Sequence, residues 1–89
     1  MGEIVMLPIW AARDRDTLHA HLKRALDFPD YYGANLDALY DCLTDIVMPM
    51  RVVIPAAWES ALDGYGRRVV KVFLEAAEHN ERLHVSVRG

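Results

Sequence analysis

The sequence predicts a two-layer α/β domain, a three-stranded parallel sheet with helices packed on one face. Three observations carry that prediction. Short apolar runs near both ends and in the middle of the chain alternate with stretches of helical periodicity, in the order β-α-α-β-α-α-β, and strands separated by helical stretches favour a parallel sheet. Right-handed crossovers then place every helix on the same side. In the last run Leu83, Val85 and Val87 alternate with His84, Ser86 and Arg88, the pattern of a strand covered on one face only. The 89 residues suffice for one domain spanning 1–89.

Residues 3–9 (EIVMLPI) read as a first strand buried in the sheet, with Pro8 marking its end. Trp10 behind it reads as a core or core-edge aromatic. Residues 11–16 form a loop, and Asp16 is the expected N-cap of a helix beginning at Thr17. Leu18, Leu22, Ala25 and Leu26 share one face of that helix, which stops before Pro29 because the residue preceding a proline avoids helical geometry.

Residues 31–46 (YYGANLDALYDCLTDI) are the most informative stretch. Gly33 makes a turn after two tyrosines, and the Asn35 side chain is placed to cap the first amides of a second helix. Leu36, Leu39, Tyr40 and Leu43 then fall on an arc from about −60° to +40°, one buried face. Asp37, Asp41 and Asp45 fall near ~100°, ~140° and ~180°, a separate stripe on the solvent side. Five Asp and no Lys or Arg occur between residues 27 and 45. Like charges four apart cost a helix roughly 0.2–0.5 kcal/mol per pair. Asp37 suits the positive end of the helix, but Asp45 sits at the negative end. A solvated face explains acids alone, yet such faces usually intersperse both signs. A cation-free stripe that costs stability suggests a partner supplying the cations.

Residues 47–49 lead into a second strand at 50–54, stopped by Pro55, and residues 56–63 permit a short helix. Gly64-Tyr65-Gly66 reads as a turn. The final helix covers about residues 67–78, with Val69, Val70, Phe73, Ala76 and Ala77 toward the core. Lys71 and Glu75 are four apart and placed to pair.

Composition excludes several functions. The net charge is −3, and because the 27–45 block carries all five of its charges as acids, the rest of the chain is slightly basic. That local acidity argues against direct nucleic-acid binding, which needs a basic footprint. No apolar run approaches a membrane span, and the N-terminus lacks the basic region of a signal peptide. The single Cys42 makes no internal disulfide, which suits a reducing cytoplasm. Its neighbour Asp41 raises a thiol pKa, against a nucleophilic role, and no enzyme is expected. His19 and His21 point apart on their helix, His79 and His84 are isolated, and no metal or other cofactor is expected. Asp37, Asp41 and Asp45 can be imagined around Mg²⁺, but dedicated sites draw ligands from several elements.

The string Tyr31-Tyr32-Gly33, Asn35-Leu36-Asp37-Ala38-Leu39, Asp41-Cys42-Leu43-Thr44 resembles the barstar family of ribonuclease inhibitors, without gaps. Val72-Phe73 followed by Glu75-Ala76 is similar to the family's last helix, and Trp58 to its tryptophan after the second strand. The resemblance implies a monomer that plugs the active site of a basic ribonuclease in a 1:1 complex, as a toxin-neutralising or immunity protein. Tyr31, Gly33, Asn35, Asp37, Asp41 and Thr44 match the family's contact positions, and Glu75 a further acidic contact. Asp41 matches the carboxylate that occupies the place of a substrate phosphate. Tyr40 stands where the family often has Trp, and Asp45-Ile46 where it has Gly-Trp. The segment up to Pro49 is one residue shorter, with Met48 replacing an acidic and aromatic pair. The resemblance also extends a cis proline to Met48–Pro49. An acidic adaptor on the same scaffold, bound to a basic protein that is not a nuclease, is the alternative.

Overall fold

In the computed structural model, which describes residues 2–89, three parallel strands run in the order β1 (Glu3–Met6), β2 (Met50–Pro55), β3 (Leu83–Arg88). The register pairs Val5 with Val52 and Val52 with Val85. Period-2 alternation sends Val52 and Ile54 into full burial while Arg51 stays exposed. The face bearing Ile4, Met6 and Arg51 is open, so the helices α1 (Arg15–Ala25), α2 (Leu36–Thr44) and α3 (Tyr65–His79) cover the other one. The expected two-layer architecture is therefore the observed one. Between the layers Leu18, Leu22, Leu39, Leu43, Val69 and Phe73 are fully buried.

Several local expectations need correction. The first strand ends at Met6, and Ile4 and Met6 lie on the open face instead of in the core. Leu7 N–H still donates to Val53 O at 2.9 Å, but Pro8 has no N–H to extend the ladder. A 3₁₀ turn, Ile9–Arg13, follows, burying Ala11 and Ala12 and leaving Trp10 58% exposed, edge-on to His21 at 5.1 Å. Trp58 is the aromatic that fills the core, and its indole N–H donates to Pro8 O at 3.0 Å.

The cap of α1 is Asp14, not Asp16. Its extended backbone lets Oδ1 accept Thr17 N–H at 2.7 Å, and Asp16 falls within the first turn. The helix ends at Ala25, before the proline restriction acts. Asp27 turns left-handed (φ 55°) and Phe28 N–H closes back to Lys23 O at 2.9 Å, a Schellman closure.

The turn before α3 is Leu62–Gly64, all with positive φ, and Tyr65 and Gly66 already belong to the helix. Gly66 serves close approach: a Cβ there would lie 1.8 Å from Trp58 O. The Met48–Pro49 bond is trans, since no cis peptide occurs among the described residues. Lys71 and Glu75 form no ion pair, both side chains standing free in solvent on α3.

Candidate functional site

The acidic stripe is carried by α2 and held from three sides. At its N-terminus Asn35 is extended, and its Oδ1 accepts Ala38 N–H at 2.8 Å while its amide donates to Gly33 O at 3.3 Å. Ala34 adopts φ 53° to make the turn, and a Cβ on Gly33 would come within 3.2 Å of the Asn35 amide. Gly33 and Asn35 thus shape the helix start whatever else they touch.

The tyrosine pair ahead of the turn is split by environment. Tyr32 is half-buried against Phe28, with ring centroids 4.9 Å apart, and its hydroxyl lies 2.6 Å from His19 Nδ1. His19 Nε2 in turn lies 2.6 Å from the Tyr65 hydroxyl, and Arg15 sits 4.0 Å over the Tyr65 ring. A buried histidine thereby ties loop 29–34 to α1 and α3. Burial holds the imidazole below its ordinary pKa, helped by Arg15 and opposed by Asp16. The Tyr32 phenol is pushed far up by burial. With Tyr32 anchored inward, Tyr31 projects outward, 87% exposed.

At the other end of α2, Asn80 supplies the restraint. Its amide nitrogen donates to Leu43 O at 3.0 Å, Thr44 O at 3.4 Å and Ile46 O at 2.9 Å, and its oxygen accepts Arg82 N–H at 3.1 Å. Leu43 and Thr44 are among the carbonyls that the helix C-terminus leaves without an i+4 partner, and Ile46 follows them just beyond it. Leu39 and Leu43 bury the inner face completely, while Leu36 and Tyr40 are half-buried, Tyr40 edge-on to His79 at 6.4 Å.

Between these restraints Asp37, Asp41 and Asp45 are exposed, as the helical spacing requires. Asp45 is the C-cap residue, its N–H bonded to Asp41 O at 3.1 Å. None of the three is paired: among the described residues the ion pairs are Arg13–Asp14 (3.6 Å) and Lys23–Asp30 (3.8 Å). Thr44 spends its hydroxyl proton on Tyr40 O and Asp41 O, both at 3.0 Å, leaving lone pairs for a donor. Glu75 is exposed on α3, one turn before the His79 that meets Tyr40. Cys42 is half-buried, and its thiol is pushed up by burial first and then by Asp45 and Asp41. Chemically the face offers carboxylates on a firmly held helix together with outward hydroxyls: it can receive cations and hydrogen-bond donors.

His19, Tyr65 and Asn80 were not singled out for this face in the sequence. His19 is in phase with Leu22 and Leu26 on α1, a signal that it points inward. Asn80 makes one local bond, to Arg82 N–H, but its partners at the end of α2 lie more than thirty residues away and have no local signal.

A family model described as "Barstar (barnase inhibitor)" matches residues 3–88. A protein of Bacillus subtilis (strain 168) named "Putative ribonuclease inhibitor YrdF" is 47% identical over 66 residues, covering 71% of this chain and 72% of that one.

Proposed function

The chain belongs to the barstar family, and on that premise we propose that it inhibits a basic ribonuclease by placing its acidic helix in the enzyme's active site. The observation that carries this reading is the unpaired stripe Asp37, Asp41, Asp45 on a helix clamped at both ends. RNA-cleaving sites hold phosphates with Arg, Lys and His, and preorganised charges of opposite sign fit such a site without reorganisation. Asp41, at the middle of the stripe, takes the place of a substrate phosphate. Asp37 and Glu75 meet flanking cations, and Tyr31, Gly33, Asn35, Tyr40 and Thr44 complete the contact. The bulk of the domain then excludes RNA.

The complex in this reading is one inhibitor per nuclease, formed in the cytoplasm by a toxin-neutralising or immunity protein. The target is not carried over from the family, because Tyr40, Asp45, Ile46 and Met48 all differ on the binding side. Co-purification from the native host, followed by an RNA-cleavage assay of any small basic partner, tests the reading. Stoichiometric loss of cleavage supports it. A partner with no nuclease activity favours the acidic adaptor.

A further inference from the structure

Beside the acidic stripe a groove runs between the end of α1 and the segment after α2. Leu26 and Phe28, both buried, form part of its floor, and Asp27, Asp41 and Asp45 border it. Tyr31, Val47 and Met48 stand around it at 87%, 72% and 70% exposure. Exposed apolar side chains gathered at one place mark a contact surface more often than isolated ones do.

Resting on the function proposed above, we propose that this groove is a second subsite, one that takes an arginine side chain of the inhibited nuclease. A purely apolar occupant would bury the carboxylates unpaired, and a small hydrated cation would leave the apolar floor wet. A long cation satisfies both, its aliphatic stem on Leu26, Phe28 and Met48 and its charged head toward Asp27 and Asp45. Arginine suits the place better than lysine. Its guanidinium is weakly hydrated, can bond two carboxylates at once and stacks on an exposed aromatic ring such as Tyr31.

Asp27 is the bordering acid best suited to substitution. It occupies the left-handed position of the Schellman closure (φ 55°), where glycine is the cheaper residue. The carboxylate thus stands at a backbone position that glycine adopts at lower cost. For the same reason Asp27→Gly removes the charge without endangering the fold.

The test is an amide-shift titration of the folded protein with N-acetyl-arginine-N-methylamide, run beside guanidinium chloride and N-acetyl-lysine-N-methylamide. Saturable shifts confined to residues 26–31 and 41–48, larger than with either control, are expected. Affinity should fall about threefold in Asp27→Gly, the loss of one exposed charge contact, and about fivefold in Met48→Ser through lost apolar contact. Equal shifts with guanidinium chloride, shifts spread evenly to Asp37, or affinity indifferent to both substitutions overturn the subsite. The inhibited nuclease supplies a second arm, in which Met48→Ser weakens inhibition and an unchanged inhibition constant counts against the groove. Should no nuclease be inhibited at all, the function falls while the arginine titration still decides the groove.

Discussion

Replacing Asn80 with alanine tests how the acidic helix is held. The substitution removes donation to Leu43 O and Ile46 O at 3.0 and 2.9 Å, a longer contact to Thr44 O, and acceptance from Arg82 N–H at 3.1 Å. Asn80 is only 8% exposed, so water does not readily replace it. Each intramolecular hydrogen bond contributes about 0.5–1.5 kcal/mol net, and a buried carbonyl left unsatisfied costs about 1–3. Two strong bonds and one moderate one place the loss at roughly 2–4 kcal/mol. For a domain of this size that lowers Tm by on the order of 10–20 °C. Urea unfolding with an unchanged m-value should show it, and hydrogen exchange should quicken first at residues 45–48. Asn80→Asp is nearly isosteric but cannot donate when ionised, so it should be no better than alanine. A loss below about 0.5 kcal/mol for Asn80→Ala would refute the claim that this side chain fixes the end of α2, since that is the lower limit for even one net bond.

Three further outcomes are expected. Gly66→Ala should prevent stable folding, because its Cβ would lie 1.8 Å from Trp58 O, and circular dichroism or expression yield checks it. Cys42→Ala should cost about 1 kcal/mol or less, as a half-buried small side chain leaves little cavity, and thiol-linked dimers that dissociate on reduction would contradict the monomer reading. His19 has a folded pKa below its ordinary 6.5, so the unfolded chain binds the proton more readily. Its contribution is complete above about pH 6.5 and declines as pH falls toward the lower folded value. Chemical denaturation between pH 7.5 and 5 should show that decline, and His19→Gln should flatten it.

The sequence made the layers legible because their signals are periodic. Val52 and Ile54 alternate with Arg51, and Leu39 and Leu43 recur with the helix while Asp37, Asp41 and Asp45 recur about half a turn away. Boundaries were less legible where two residues compete for one role. Asp14 and Asp16 are both competent caps, and only the extended backbone at Asp14 decides between them. Gly64 and Gly66 looked like one turn, but one supplies a left-handed residue and the other room for Trp58. Trp10 reads as a core aromatic yet stands exposed, because hydrophobicity alone does not tell a core aromatic from one stranded outside by a 3₁₀ turn. Within the site, the outward carboxylates followed from spacing. The restraints behind them, His19 between Tyr32 and Tyr65 and Asn80 under α2, join residues far apart in sequence and have no local pattern.

The central claim is that Asp41 makes the decisive contact and that the surrounding acids act mainly on encounter. Stopped-flow kinetics with the cognate ribonuclease at two salt concentrations tests it directly, using the parent protein, Asp41→Ala and Asp45→Asn. Association of the parent should slow steeply as salt rises. Asp41→Ala should weaken binding by about 2–5 kcal/mol, mainly through faster dissociation, a range to which the family's own barnase–barstar pair contributes. Asp45→Asn should change chiefly the association rate, and both variants should remain as folded as the parent. If Asp41→Ala binds as tightly as the parent, the acidic helix is not the inhibitory surface.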